Sequence, residues 1–282
     1  MFIITCLVND ETQPGSGLRA EHGLSFFIQT DEKRLLFDTG PNGRVLLYNA
    51  TKLGLDLRGV SDAVLSHSHP DHTGGLRTAL SLARGCKLFA HPAIFQERFR
   101  RRRWWRPKYV GLPLSQREIE ECAELKLSSQ PVEVAPQVWT TGEVAPRPAA
   151  EGRSARHLIH TPRGWAPDPY ADDMALVFDT SRGLVVVLGC GHAGLLNTLA
   201  CARRTFGGRI QAVLGGAHLL DLGEEEIDHI ISILREGYGS PRLYLNHCTG
   251  DRALSLLSQA FPDQTVPYLA GTSIEFLDDR RE

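Results

Sequence analysis

The sequence has few cysteines, no excess of either charge and no long apolar run. Its six cysteines are scattered over 282 residues without a CxxC pair, which excludes a disulfide scaffold and fits a reducing compartment. Lys plus Arg (31) balance Asp plus Glu (33), so the chain lacks the basic surface of a dedicated nucleic-acid binder. No apolar run reaches the roughly 18 residues that span a bilayer. The first residues, MFIITCLVNDE, lack a basic n-region and a small-residue cleavage site. We therefore expect a cytoplasmic protein whose partner is neither a nucleic acid nor a membrane.

The order of apolar patterns predicts an α/β fold. Residues 2–8, 24–28 and 34–37 are typical of strands in an opening β-meander. Strand-like and helix-like segments then occur in two similar successions, which indicates packed sheets with helices outside. The further predicted strands lie at 63–65, 87–90, 138–140, 174–179, 184–188, 210–214 and 242–245, and the helices at 44–53, 76–83, 93–99, 194–204, 224–235 and 253–261.

Two segments interrupt this regularity. Residues near 98–113 contain the basic and aromatic run RRRWWRPKYV, and residues near 141–173 are rich in Pro, Gly and polar side chains. We predict a single domain over residues 1–282, with the first segment as an insertion and the second as loops.

The segment SHSHPDHTGG follows a predicted strand and contains four potential metal ligands within six residues: His67, His69, Asp71 and His72. His67 and His69 are two residues apart and project to the same side, while Pro70 turns the chain. Gly74 and Gly75 carry no side chain to obstruct close approach to the metal or substrate. Imidazole and carboxylate suit a divalent transition metal; zinc is favoured, with iron, manganese and nickel as alternatives. A chance histidine-rich loop is the competing interpretation, and this spacing argues against it.

This segment resembles the HxHxDH signature of the metallo-β-lactamase superfamily. The resemblance covers nearly the whole chain and implies an αββα sandwich of two packed mixed β-sheets with outer helices. LLFDTG resembles the early aspartate motif of the family, which implies that Asp38 orients the metal loop. NHCTG resembles the late-histidine motif, which implies His247 as a ligand. KYVGLP, WTTGEV, DDMALVF and LGGAHL together resemble the branch that includes the 7,8-dihydropterin-6-methyl-4-(β-D-ribofuranosyl)aminobenzene-5'-phosphate synthases.

The segment GCGHAG departs from the superfamily pattern, in which Gly-Asp follows the strand. Cys190 stands in place of that aspartate, either as a ligand that biases the site toward a softer metal or as a small buried apolar residue. His192 is the favoured ligand because it needs no thiolate. The third metal-binding histidine of the family has several possible counterparts in this sequence, namely His157, His160, His192 and His218, with Asp172 or Asp173 as substitutes. We therefore expect either one or two metal ions.

Two residues are candidates for proton transfer. Asp71 belongs to the metal loop, and His218 follows a predicted strand, so that both are expected to face one cleft. The alternative for His218 is a core histidine that donates to a backbone carbonyl.

The basic and aromatic run is the candidate substrate-binding segment. Its charge favours an anionic partner and its rings suit stacking on a flat heterocycle, although a solvated flap with packed tryptophans has the same composition. The predicted contacts are Arg101, Arg103, Trp104, Trp105 and Lys108.

Together these residues predict a metal-dependent hydrolase that attacks a small anionic, phosphorylated substrate through a metal-bound hydroxide. The first alternative is a pterin-transferring synthase that releases pyrophosphate, as the family resemblance implies. The second is a non-catalytic metal-binding protein. The sequence leaves the natural substrate and the oligomeric state open.

Overall fold

The computed structural model describes residues 1–103 and 106–278. The strands are β1 (Phe2–Val8), β2 (Ser25–Thr30), β3 (Arg34–Phe37), β4 (Asp62–Val64), β5 (Lys87–Ala90), β6 (Arg98–Arg100), β7 (Lys108–Tyr109), β8 (Glu124–Leu127), β9 (Glu133–Ala135), β10 (Val138–Thr140), β11 (His157–Thr161), β12 (Gly164–Pro167), β13 (Leu176–Thr180), β14 (Gly183–Leu188), β15 (Ile210–Gly216), β16 (Arg242–Asn246) and β17 (Ser273–Phe276). The helices are α1 (Gly43–Lys52), α2 (Pro70–Thr73), α3 (Leu76–Leu82), α4 (Gln116–Glu120), α5 (Leu195–Phe206), α6 (Glu224–Glu236) and α7 (Asp251–Ala260). Within the described residues, none of these helices has both the length and the apolarity needed to cross a bilayer.

The strands form three sheets. The first has seven strands in the order β17-β1-β2-β3-β4-β5-β8, and the second has six in the order β16-β15-β14-β13-β10-β9. Both are mixed, because β3, β4, β5 and β8 run parallel in the first and β14, β15 and β16 run parallel in the second. The third sheet has the order β12-β11-β6-β7 and is antiparallel.

The first two sheets pack face to face between two layers of helices. In β14, Val185 and Val187 point into the core between the sheets, whereas Val186 and Leu188 pack with α5, α6 and α7. This alternation follows from the two-residue period of a strand, and each fully buried side chain of this kind contributes roughly 1.5–3 kcal/mol. Helices α1, α3 and α4 cover the other face of the first sheet. The predicted αββα sandwich is therefore confirmed.

The third sheet is the main difference from the sequence-based expectation. The helix predicted at 93–99 is wrong: a 3-10 turn spans Pro92–Phe95, and β6 then pairs with β11. Pairing across 60 residues overrides the local helical spacing, as tertiary context commonly does for short segments. Both irregular segments thus contribute strands to one sheet. The assignment of one domain to residues 1–282 stays a prediction.

Candidate metal centre

The predicted site residues lie in loops that leave the carboxyl ends of parallel strands. Loops at such ends meet at one edge of a sheet, and here the two packed sheets bring two such edges together. The residues are Asp38 after β3, His67, His69, Asp71 and His72 after β4, Cys190 and His192 after β14, His218 after β15, and His247 after β16.

Three histidines form the first ligand set. His67, His69 and His192 are buried, and one ligand atom from each lies within 4.8 Å of the others. The Nε2 atom of His192 is 3.3 Å from Nδ1 of His69. The Nε2 atoms of His67 and His69 are buried without a hydrogen-bond partner. A buried polar atom left without a partner costs about 1–3 kcal/mol, so the unpaired Nε2 of His67 fits a metal ion held by this set, to which His69 would contribute Nδ1.

A carboxylate, a thiol and two histidines form the second set. The Nε2 atom of His72 lies 3.1 Å from Sγ of Cys190 and 3.7 Å from Oδ2 of Asp71. The same Asp71 oxygen is 3.4 Å from Nε2 of His247, an atom that also lacks a hydrogen-bond partner. All four ligand atoms lie within 4.8 Å of one another. The structure therefore brings together all seven residues predicted as ligands, divided into two adjacent sets.

Most of these imidazoles are fixed by a hydrogen bond on the side away from the set. Metal-ligating histidines usually donate one N–H to an acceptor, which leaves the other nitrogen free for the metal. Four Nδ1 atoms have such partners: Ser66 Oγ at 2.8 Å from His67, Asp38 Oδ2 at 2.7 Å from His72, the Gly152 carbonyl at 2.5 Å from His192, and Asp10 Oδ1 at 2.7 Å from His247.

Asp38 contacts both ligand sets through hydrogen bonds, directly to His72 and by way of Ser66 to His67. Its carboxylate accepts hydrogen bonds from the backbone N–H of Ser66 at 2.7 Å, from the Ser66 hydroxyl at 2.6 Å and from His72 Nδ1 at 2.7 Å. Its φ of 56° is in the left-handed region, which non-glycine residues occupy at a cost. A Cβ on Gly189 would lie 2.0 Å from the Ser66 hydroxyl oxygen. The residue before Cys190 therefore has to be glycine for the Ser66 hydroxyl to reach Asp38.

The electrostatics favour neutral imidazoles in the first set, whereas in the second set burial lowers the pKa of His247 but Cys248, Asp10 and Asp71 outweigh burial and raise it to about 10. Burial lowers the pKa of His67, His69 and His192 well below the usual value, and neighbouring histidines lower each of them further. Burial raises the pKa of Asp71, but His72 and His247 outweigh this effect and hold it well below its usual range. Neutral imidazole and ionised carboxylate are the forms in which these side chains bind a divalent ion.

His218 lies beside both sets without joining either. Its φ is 45°, and its ring centroid is 4.3 Å from that of His192. One ligand atom of His218 lies within 4.8 Å of the sulfurs of Cys190 and Cys248. The predicted role of His218 in proton transfer stays a prediction.

The sequence interpretation missed three residues of this site. Cys248 lies next to the late histidine, and Nε2 of the exposed residue His22 lies 3.7 Å from Asp71 Oδ2. Asp10 joins them, because it contacts Nδ1 of both His22, at 2.8 Å, and His247. Only Cys248 belongs to a recognisable motif. Asp10 and His22 lie in an irregular loop that offers no signal along the chain.

Arg98 is at the start of the basic segment near 98–113, but its side chain is buried rather than part of an anion-binding surface. Its side chain is 1% exposed, donates to Asp168 at 2.9 Å and Asp172 at 2.5 Å, and reaches the Ser68 hydroxyl at 2.8 Å. The other oxygen of Asp172 accepts from the backbone N–H of Ser68. Asp172 thus supports the metal loop and is engaged away from the ligand sets.

The other alternative ligands are also engaged elsewhere. Asp173 accepts a hydrogen bond from the backbone N–H of Ala193 at 2.7 Å. His157 contacts the Tyr170 hydroxyl through Nδ1 at 2.8 Å, and its ring centroid lies 4.7 Å from that of His69. His160 is exposed on β11. Among the alternatives, His192 alone completes the three-histidine set.

The predicted substrate-binding run is only partly described. Arg101, Arg103 and Lys108 are exposed, whereas Trp104 and Trp105 lie outside the described residues. Strand β6 precedes the run and pairs with β11, so that Arg100 of β6 is opposite His157 of β11. Because His157 contacts His69, the run begins close to the three-histidine set.

Gly74 and Gly75 have a packing role different from the one expected. A Cβ on Gly74 would lie 2.0 Å from the carbonyl oxygen of Pro41, and one on Gly75 would lie 2.3 Å from that of Thr39. The close approach that glycine permits is therefore to the loop that carries Asp38, rather than to the metal or substrate.

Comparisons with known proteins identify the superfamily and the fold. The family model described as the metallo-beta-lactamase superfamily matches residues 18–194. A protein of Methanocaldococcus jannaschii named 7,8-dihydropterin-6-methyl-4-(beta-D-ribofuranosyl)-aminobenzene-5'-phosphate synthase is 29% identical, and the alignment covers 97% of this chain and 96% of that protein. The crystal structure of a metal-dependent hydrolase of the beta-lactamase superfamily is 29% identical, with a TM-score of 0.84 and coverage of 99% of this chain and 100% of that one. A diphosphatase of the PhnP family, 15% identical with a TM-score of 0.56 and coverage of 98% of both chains, shares the fold.

Proposed function

Because this chain belongs to the metallo-beta-lactamase superfamily, we propose that it is a metal-dependent hydrolase acting on a small anionic, phosphorylated substrate. One observation carries the proposal. Two buried imidazole nitrogens, Nε2 of His67 and Nε2 of His247, lack hydrogen-bond partners, and their residues belong to two adjacent sets of possible ligands. Without a metal, these nitrogens would stay buried without a hydrogen-bond partner, which is unfavourable and uncommon in proteins.

Two ions fit the residues that are present. His67, His69 and His192 would hold one, and Asp71, His72 and His247 the other, with Cys190 at the second set. We favour zinc, because it takes imidazole, carboxylate and thiolate together, and keep iron, manganese and nickel as alternatives. When bound, such an ion polarises an electrophile and lowers the pKa of water to about 7.

Residues of the chain itself bind the substrate and transfer protons to and from it. The Asp71 side chain is 23% exposed, so its carboxylate can receive a proton at the surface of the second set. His218 lies against His192 and close to Cys190, and we assign its imidazole to proton exchange with a leaving group. Arg101, Arg103 and Lys108 attract the anionic part of the substrate, and Trp104 and Trp105 are proposed to stack on a flat heterocycle.

A second candidate is a transferase that joins a pterin to an acceptor and releases pyrophosphate. It rests on the name of the Methanocaldococcus jannaschii relative, whose similarity extends over nearly the whole of both chains. The same basic run would then bind the pyrophosphate leaving group. A non-catalytic protein that has lost its metal is disfavoured, because the possible ligand atoms of both sets lie within 4.8 Å of one another, whereas a non-catalytic metal-binding protein stays an alternative. The cytoplasmic location stays a prediction that rests on the scattered cysteines.

Metal content and turnover test these candidates together. Protein purified without chelators is analysed for elements and then assayed with phosphodiesters and with pyrophosphate-activated pterin, each with and without an arylamine acceptor. Hydrolysis that is independent of acceptor supports the hydrolase, and acceptor-dependent release of pyrophosphate supports the transferase. Protein that binds no transition metal after reconstitution would contradict both.

A further inference from the structure

A groove of about 820 Å³ lies at the amino ends of three neighbouring parallel strands, β14, β15 and β16. The proposed ligands after β14 and β16 lie at the carboxyl ends of the same strands, so the groove and the metal centre are at opposite edges of one sheet. Small-molecule sites usually occupy clefts of about 300–1,000 Å³, so the groove is large enough for a ligand the size of a nucleotide. The roles proposed above use no residue of this groove.

Three arginines stand in a row along the groove. Arg182 comes just before β14, Arg209 comes just before β15, and Arg242 is the first residue of β16. Neighbouring strands of a sheet lie about 4.8 Å apart, so the fold places these residues side by side. Their alignment is fixed by the sheet, because the N–H of Leu184 donates to the Arg209 carbonyl at 2.8 Å and Arg242 is paired with Ala212.

The groove has an excess of positive charge. Four arginines line it, the fourth being Arg203 of α5, together with one carboxylate, Glu275. The whole chain has 31 basic and 33 acidic side chains, so this excess is a local property of the groove. A concave surface with charge of one sign raises the local concentration of ions of the opposite sign.

Three of these guanidinium groups are oriented by neutral groups. Each donates one hydrogen bond: Arg203 to the Gly237 carbonyl at 2.8 Å, Arg209 to the Arg182 carbonyl at 2.9 Å, and Arg242 to the Tyr244 hydroxyl at 3.5 Å. Arginine has five N–H donors, and a neutral acceptor does not cancel its charge. These contacts therefore orient the cations without neutralising them. A guanidinium group held in this way can bind a phosphate through two parallel N–H donors.

We propose that this groove binds a small anion that carries two or more phosphate groups. Arginines in a row favour linked phosphates over a single one, because each phosphate can pair with a different guanidinium group. A free diphosphate and the diphosphate of a nucleotide share this chemistry. The inference does not depend on the proposed function, because the groove contains none of the proposed metal ligands.

Two probes that resist hydrolysis distinguish these sources. Methylenediphosphonate is a diphosphate analogue without a nucleoside, and α,β-methylene-ADP carries the same bridge on a nucleoside. Binding to the protein as purified is measured by calorimetry, and elemental analysis afterwards checks that its metal content is unchanged. We expect both probes to bind, and to bind more weakly at high salt. Tighter binding of the nucleotide analogue assigns the groove to a nucleotide, and equal binding assigns it to the diphosphate alone.

Paired variants locate the binding. Arg209→Gln with Arg242→Gln should weaken the binding of methylenediphosphonate at least about tenfold. Arg44→Gln with Arg163→Gln removes the same charge at exposed positions outside the groove and should bind like the parent protein. Arg209→Lys with Arg242→Lys keeps the charge and should recover part of the affinity, which a purely structural role of these arginines would not require. Any binding at the metal centre is common to all these proteins, so the differences between them report on the groove.

The inference is overturned if the parent protein binds neither probe, if the glutamine pair in the groove leaves the affinity unchanged, or if the control pair lowers it equally. In soaked crystals, a probe found at the metal centre alone would also contradict it. If a probe occupies the groove while elemental analysis finds no transition metal after reconstitution, the groove assignment stands and the proposed hydrolase fails.

Discussion

Arg98 donates a hydrogen bond through Nη1 to the hydroxyl of Ser68 at 2.8 Å, and Ser68 stands between His67 and His69. The rest of the guanidinium is held by Asp168 and Asp172. The most basic part of the chain therefore contributes one cation to the interior, where it fixes the backbone that carries two proposed ligands.

Replacing Arg98 should destabilise the protein and loosen the metal loop. Arg98→Met leaves two buried carboxylates without their cation, and breaking a buried pair costs about 3–5 kcal/mol. Urea unfolding of the metal-free protein measures this loss directly. Arg101→Met, at an exposed position three residues later, should leave the unfolding midpoint unchanged. Equal midpoints for both variants would show that the Arg98 network contributes no stability.

Removing the first two histidines should abolish metal binding without unfolding the chain. His67→Ala with His69→Ala deletes two of the three imidazoles of the first set, whereas the core is formed by apolar strands and helices elsewhere. Elemental analysis should show loss of at least one ion per chain, while circular dichroism stays that of the parent protein. His160→Ala, which removes an exposed histidine, is the control and should keep its metal. Full metal content in the double variant would exclude this set.

Cys190 and His192 should differ in their effect on the metal. His192→Ala leaves the first set with two ligands, whereas Cys190→Ser leaves Asp71, His72 and His247 in the second. We expect His192→Ala to lower metal content and turnover together and Cys190→Ser to have the smaller effect. If Cys190→Ser instead empties the site while His192→Ala leaves it full, the two assignments are exchanged, and His192 becomes a substrate contact.

Asp38 should tune the affinity of the second set through His72. Asp38→Asn keeps the shape of the side chain but removes the charge that orients this imidazole, a change that typically lowers metal affinity by about 10–100-fold. Competition with a chelator of known affinity measures the change. Asp56→Asn, in an exposed turn before β4, is the control. An unchanged affinity would mean that Asp38 acts on folding alone.

The exposed arginines should act on substrate binding rather than on stability. Changing Arg101, Arg102 and Arg103 to Ser removes three exposed charges, so KM for a phosphorylated substrate should rise by about tenfold at low salt, and less at high salt. The melting temperature should change little. Unchanged KM together with a large fall in melting temperature would assign the segment a structural role.

The first ligands and the layers of the fold could be predicted from the sequence because both are encoded over short distances. His67, His69, Asp71 and His72 lie within a span of six residues shortly after a strand end, where local geometry alone brings them together. Likewise, the two-residue period of β14 and the apolar spacing of α5 and α6 define buried faces without reference to the rest of the chain.

Only the tertiary structure decided how distant residues combine. Arg98 looked like one more charge in a basic run, yet its partners Asp168 and Asp172 lie 70 and 74 residues away. Nothing near Asp10 or Cys248 in the chain indicates that Asp10 contacts His247 or that Cys248 lies beside Cys190. The division of the ligands into two sets depends on how the loops after β4, β14 and β16 meet, and that is fixed by the packing of two sheets rather than by spacing along the chain.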